Sequence, residues 1–127
     1  MATEQEKIKE LLAEMTKDRG YVLPEWVYVT EQDVDFMAAY NKLYKGGLNE
    51  GKALPAKTRE LIEMAILAFR GRDDLTYNHA KRALRLGATM RELLEAVETM
   101  MIGGGAPAFS TGLKALLRIH QEEQAGK

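Results

Sequence analysis

Capping residues, glycines and prolines divide this chain into helices, and that division constrains its fold more than any other feature. Thr3 with Glu6 and Thr89 with Glu92 form Thr-x-x-Glu capping boxes, whose side chains satisfy the free N–H groups at a helix start. Apolar residues follow each box at three- and four-residue spacing, as on one face of a helix. Gly87 is placed to close a further helix as a left-handed cap. The chain is therefore predicted to be all-α, with about six helices in a single domain over residues 1–127.

The stretch between the first two predicted helices is an exception to this pattern. Residues 21–29 alternate in polarity and include Pro24, which predicts an extended connection or a short strand. Thr30 with Asp33 is predicted to start the second long helix, which ends at Gly46.

Further helix boundaries are predicted in the second half of the chain. Pro55 suits the first turn of a third helix, because its fixed φ fits helix entry and its missing N–H costs nothing there. Residues 71–74 form a turn whose Asp74 is predicted to cap a fourth helix. Three glycines at 103–105 break a fifth helix, and Pro107 permits a sixth.

The overall composition limits the classes of function. A chain of 127 residues with 18 basic and 19 acidic side chains carries a formal charge of -1, which favours neither nucleic acid nor an acidic membrane surface. No apolar run approaches the roughly 20 residues of a membrane span, and residues 1–10 are too polar for a signal peptide. A cytoplasmic location without nucleic-acid or membrane partners is expected.

The chain has no cysteine, which restricts its chemistry further. Disulfides, thiolate metal sites and a cysteine nucleophile are all excluded. His79 and His120 are the only histidines, so a metal site would need carboxylates in addition, and no local motif supplies them. Neither a metal nor a cofactor is predicted.

Glu60 and His79 are the residues best suited to acid–base chemistry. Both fall on apolar stretches of the third and fourth helices, which the short turn at 71–74 would fold into a hairpin. A carboxylate beside an imidazole can relay protons, and such groups contribute roughly 10²–10⁴ in rate. The alternative is a buried His–Glu hydrogen bond with a purely structural role.

The ordered set of local motifs resembles a known family. The set comprises residues 54–62 (Leu-Pro-Ala-Lys-Thr-Arg-Glu-Leu-Ile), the segment around His79, the turn at 87–89, and the Gly-rich stretch 103–108. Together they resemble the carboxymuconolactone decarboxylase family, which includes the alkylhydroperoxidase D-like proteins. The resemblance is strongest over residues 54–119. It implies an all-α, alkylhydroperoxidase D-like helical domain that assembles into homo-oligomers, either trimers or hexamers.

The resemblance also implies which chemistry is missing. Redox members of the family carry a Glu-x11-Cys-x2-Cys-x3-His motif, which, counted from Glu60, falls on Arg72, Leu75 and His79. The acid and the base are present and both sulfurs are absent. Thiol peroxidase activity is therefore not expected, although the fold would resemble that of a peroxiredoxin-like protein.

The leading functional hypothesis is a cofactor-free lyase like the family's namesake, acting on a small carboxylated lactone or a related metabolite of aromatic catabolism. Glu60 and His79 would be its catalytic residues, and Arg72 or Arg59 would bind the substrate carboxylate. The alternative hypothesis is a non-catalytic oligomeric protein that binds a ligand or serves as a scaffold. The sequence leaves open whether the protein is an enzyme.

Overall fold

The computed structural model describes residues 1–127 and contains six α-helices and no strand, which confirms the all-α prediction. The helices are α1 (Glu4–Arg19), α2 (Pro24–Gln32), α3 (Val34–Leu48), α4 (Ala56–Phe69), α5 (Asp73–Arg85) and α6 (Met90–Ala125). None of them combines the length and apolar character that crossing a lipid bilayer requires. The chain divides into two compact units, Met1–Gly47 and Leu48–Lys127. The single-domain description stays a prediction.

The first unit is built around one small apolar cluster. The side chain of Thr3 accepts a hydrogen bond from the Glu6 N–H at 3.1 Å and so starts α1, which ends at Gly20 with φ 81°. The cluster joins the buried faces of α1 and α3 and consists of Ile8, Leu11, Met15, Val34 and Met37.

The prediction of an extended segment at residues 21–29 was wrong from residue 24 onwards, because α2 begins at Pro24 and only the connection at 21–23 lies outside a helix. Proline at the first position of a helix loses no hydrogen bond and has the required φ. The helical turns then bring Trp26 and Val29 against the apolar cluster, and Trp26 stacks on Tyr40 with ring centroids 5.4 Å apart. Burial of these side chains outweighs the strand preference of the β-branched residues.

The predicted start of the next helix is corrected by a few residues. Thr30 lies inside α2, where its hydroxyl donates to the Trp26 carbonyl at 2.6 Å. The residue whose side chain caps the start of α3 is Asp33, whose Oδ1 accepts a hydrogen bond from the Phe36 N–H at 3.1 Å. This side-chain cap is typical of a helix start. The helix ends at Leu48, slightly beyond the predicted Gly46.

The second unit begins with α4 and α5, which pack against each other across a short turn. Gly71 makes this turn with φ 72°. The prediction that Asp74 caps α5 was wrong, because the cap residue is Arg72 and no side chain caps the helix. Asp73 and Asp74 instead lie in the first turn, where negative charge is favourable beside the positive end of the helix dipole.

The break predicted at residues 103–105 lies at Gly105, which has non-helical angles of φ 84° and ψ 175° inside α6. The kink folds the two halves of α6 back on each other. Their close approach is seen at Gly112 and Val97, where a Cβ atom added to Gly112 would lie 2.6 Å from Val97 Cγ1. The predicted fifth and sixth helices are therefore the two halves of one interrupted element. They share a core with α4 and α5 that contains Met64, Ala80, Ala83, Leu93, Val97, Leu116 and Ile119.

Candidate active site

Glu60 lies in the middle of the buried face of α4. It shares that face with Met64, Leu67 and Ala68, and its exposed fraction is 0%. A carboxyl group in such surroundings requires polar partners, since an unpaired buried charge is very unfavourable. Two side chains of α5 provide them.

The first partner is His79, whose exposed fraction is 5%. Its Nδ1 lies 2.7 Å from Glu60 Oε2. A carboxylate only accepts hydrogen bonds, so this contact places the proton of the neutral ring on Nδ1. Nε2 is then the nitrogen that remains for a second partner. The hairpin register, which the sequence could not fix, brings the two predicted catalytic residues into direct contact.

The second partner is Arg82, which is 7% exposed. Its Nη2 lies 3.0 Å from Glu60 Oε1. That oxygen accepts no well-directed hydrogen bond, so the contact is mainly a charge interaction. We call Glu60, His79 and Arg82 the buried triad. Two cationic or potentially cationic groups thus flank one carboxylate in a buried part of the hairpin.

Arg82 was not predicted as a site residue. The signal that could have identified it is its spacing, because residues three apart on a helix share a face. Arg82 stands three positions after His79 on α5. A buried face that already carries His79 therefore also receives the guanidinium.

The two arginines predicted to bind a carboxylate lie outside the triad. The Arg59 guanidinium donates to the Asn49 carbonyl oxygen at 2.7 Å. Arg72 is exposed at the residue before α5, seven positions and about 10 Å along the axis from His79. Glu60 contacts His79 and Arg82. The substrate-binding role of Arg59 and Arg72 stays a prediction.

Two apolar grooves open on the second unit, and the triad lines neither of them. The α4 groove is bounded by Ile62, Ile66, Phe69, Met100 and Gly104, and its volume is about 570 Å³. The α6 groove lies between the two halves of α6 and has a volume of about 780 Å³. No group of three or more His, Asp or Glu side chains is arranged to hold a metal ion.

The fold and the site together define an all-α protein with a buried Glu–His pair held by a helical hairpin. The model of the carboxymuconolactone decarboxylase family matches residues 35–118. The chain belongs to that family, as its local motifs predict.

Relatives of known sequence support this assignment. An uncharacterized protein of Cupriavidus necator is 35% identical over 80 residues, which are 63% of this chain and 70% of that protein. An uncharacterized protein of Methanocaldococcus jannaschii is 29% identical over 69 residues, 54% of this chain and 64% of that protein. The match thus spans slightly less than two thirds of the length of the Methanocaldococcus relative.

Solved structures show the same fold. A Burkholderia xenovorans protein, provisionally named a carboxymuconolactone decarboxylase, is 28% identical, and the match covers 98% of both chains with a TM-score of 0.81. The apo form of a carboxymuconolactone decarboxylase family protein from Legionella pneumophila matches with a TM-score of 0.70. At 23% identity over 91% of this chain and 96% of that one, the latter likeness shows the fold alone.

Proposed function

We propose that the protein is a cofactor-free lyase that decarboxylates a small carboxylated lactone or a related metabolite of aromatic catabolism. The observation that carries the proposal is the 2.7 Å contact between His79 Nδ1 and Glu60 Oε2 inside the hairpin. A carboxylate on one ring nitrogen orients the imidazole, and the other nitrogen then serves as acid or base.

The proposed reaction uses this arrangement. The bond between the substrate carbon and its carboxylate breaks, CO₂ leaves, and the electron pair spreads into the lactone as a dienolate. In its imidazolium form, with a proton on each ring nitrogen, His79 delivers the Nε2 proton to the dienolate carbon. Nε2 then regains a proton from water, and the resulting hydroxide combines with the released CO₂ as bicarbonate. Glu60 balances the charge of the imidazolium, and Arg82 keeps Glu60 in position through its second oxygen. Arg72 or Arg59 would bind the substrate carboxylate from the edge of the hairpin.

Thiol chemistry lies outside the proposal, because the chain has no cysteine. Peroxide reduction of the kind that redox relatives perform requires a sulfur nucleophile, and Arg72 and Leu75 occupy the two positions of the redox motif. The proposed reaction needs only groups that the chain contains.

The experiment that tests this proposal follows the ultraviolet absorbance of carboxymuconolactone with purified protein. We expect turnover that His79→Ala lowers by about 10²-fold or more, since general acid–base groups contribute about 10²–10⁴. Lys81→Ala is the matched control, because Lys81 is an exposed residue of the same helix. Turnover that survives His79→Ala in a folded protein would refute the assignment of His79.

The second candidate is a non-catalytic oligomeric protein that binds a ligand or serves as a scaffold. The observation that favours it is the burial of the triad, which lines neither groove of the second unit. Absence of turnover by the wild-type protein, together with unchanged helix content and assembly in His79→Ala, would support this candidate over the lyase.

We further propose that the protein is a homo-oligomer, a trimer or a hexamer, with the α4 groove at a subunit contact. Ile62, Ile66 and Phe69 along this groove are 48%, 47% and 61% exposed. Large apolar side chains exposed together are typical of an interface. Phe69→Glu should shift the mass measured by analytical ultracentrifugation towards the monomer. An unchanged oligomer in that variant would place the contact elsewhere.

A further inference from the structure

The α6 groove differs from the α4 groove in the chemistry of its walls. Its floor and sides are apolar and comprise Met90, Leu94, Phe109, Leu113, Leu116 and Leu117. Leu113 and Leu117 remain 36% and 54% exposed, so the groove presents apolar surface to water. A volume of about 780 Å³ lies in the range of small-molecule sites.

Three side chains that are or can become cationic line the same groove, and no acidic side chain does. They are Arg91, Lys114 and His120. All three are exposed, and none of them is paired with an acidic residue. The nearby Glu92 is paired with Lys57. Glu122 accepts a hydrogen bond from Tyr77 and is paired with Arg118. The α4 groove, by contrast, has no charged residue in its lining. The charge therefore distinguishes the two grooves.

The charges are placed unevenly along the groove. On the second half of α6 the lining runs from Ala106 to His120, a length of about 20 Å. The kink end, from Ala106 to Leu113, carries only apolar side chains and the Ser110 hydroxyl. Lys114 follows about 13 Å from the kink, and His120 lies further out. An elongated molecule with one apolar end and one anionic end complements this distribution.

We propose that the α6 groove binds a free fatty acid, with its hydrocarbon chain towards the kink and its carboxylate between Arg91 and Lys114. Burial of the chain against Phe109 and Leu113 would supply affinity in proportion to the apolar area removed from water. The two cations would select the anionic head group, because charge-assisted hydrogen bonds to a carboxylate are stronger than neutral ones. This site is separate from the buried triad and does not depend on the proposed lyase activity.

Isothermal titration calorimetry with sodium decanoate below its micelle concentration tests the proposal. We expect saturable binding that Lys114→Glu weakens at least tenfold. The matched charge reversal Lys81→Glu, at an exposed residue of α5, should change the affinity less than twofold. Decyltrimethylammonium, which has the same chain and the opposite charge, should bind at least tenfold more weakly than decanoate. Equal affinity for the two amphiphiles, or no binding of decanoate, would overturn the proposal.

Two further measurements separate fatty-acid binding from other occupants of the groove. Amide ¹⁵N–¹H spectra should show decanoate-dependent shifts concentrated at residues 106–117 and small shifts on α4; the reverse pattern would overturn the proposal. Analytical ultracentrifugation should give the same mass for Lys114→Glu and wild type. A change of mass would assign the groove to a second copy of the chain. Binding of the protein to phosphatidylglycerol vesicles, without binding of free decanoate, would assign the groove to a lipid surface.

Discussion

Replacement of Glu60 by glutamine is the most direct test of how the triad is held together. The amide has nearly the size of the carboxyl group, and its oxygen can still accept a hydrogen bond from His79 Nδ1. What the substitution removes is the negative charge that faces Arg82. The guanidinium, whose exposed fraction is 7%, would then lose the negative charge of Glu60.

The size of the effect follows from the geometry. Opposite unit charges 3.0 Å apart, as in the contact between Arg82 Nη2 and Glu60 Oε1, attract by about 5 kcal/mol at an effective dielectric constant of about 20. Removal of one partner from a buried pair typically costs about 3–5 kcal/mol, because the other charge is left uncompensated. That is a large share of the roughly 5–15 kcal/mol that stabilises an ordinary domain.

The chain contains a matched control for this substitution. Lys57 Nζ and Glu92 Oε2 are also 3.0 Å apart, but their side chains are 32% and 39% exposed. Solvent screens such a pair, so Lys57→Met should cost far less than Glu60→Gln. The two substitutions break ion pairs of equal separation and differ chiefly in burial.

Urea unfolding followed by circular dichroism, at one fixed protein concentration, measures both free energies of unfolding. We expect a loss of about 3–5 kcal/mol for Glu60→Gln and a much smaller loss for Lys57→Met. Losses of similar size in the two variants, or a Glu60→Gln protein within about 1 kcal/mol of wild type, would refute the view that the carboxylate compensates Arg82.

The remaining predictions concern α6. Gly112→Ala should destabilise the protein by about 1–3 kcal/mol, because the new methyl group would meet Val97 Cγ1 at 2.6 Å. Gly103→Ala is the control, because a methyl group there has open space and should not destabilise the protein. Thermal unfolding of both variants checks this prediction, and equal melting temperatures would contradict it. The hydrogen bond from Lys57 holds the pKa of Glu92 below its ordinary value, aided by the capping box. The stabilisation by ionised Glu92 is therefore fully present above the pKa that Glu92 has in the unfolded state. It is lost as the pH falls through the lower pKa that Glu92 has in the folded state. Glu92→Gln should be less stable than wild type near pH 7 and equal to it in acid, as measured by urea unfolding across that range; a difference independent of pH would exclude the ionised carboxylate as its source.

Local signals were sufficient for most helix boundaries. The capping box of Thr89 and Glu92 is present in full, and Gly87 has the left-handed φ of 100° that a glycine cap permits. The chain interruption lies at Gly105, within the predicted run of glycines. These features involve residues close in sequence, so their energetics can be read without knowledge of the tertiary structure.

Predictions that depended on distant contacts were less complete. The helix α2 was missed because its stability comes from packing of Trp26 and Val29 on the apolar cluster and on Tyr40 rather than from helix propensity. The contact of Glu60 with His79 was suspected from the hairpin, but its register is set by the packing of α4 on α5. Arg82 was missed for the same reason, because only the register shows that its face of α5 points towards Glu60.

The composition of the triad bears on which proposed function explains it. A helical hairpin needs apolar contacts to fold, and replacement of a buried ion pair by apolar side chains of similar size is often neutral or stabilising. A scaffold protein would therefore gain little stability from Glu60, His79 and Arg82, whereas acid–base chemistry requires such groups in a low-dielectric site. Their polarity favours the proposed lyase, and because their side chains are nearly buried, we expect a substrate to reach His79 Nε2 by local opening of the hairpin. Hydrogen exchange at the α5 amides, measured with and without carboxymuconolactone, would detect that opening. If the protein converts the substrate and no opening of α5 is seen, the reaction takes place elsewhere.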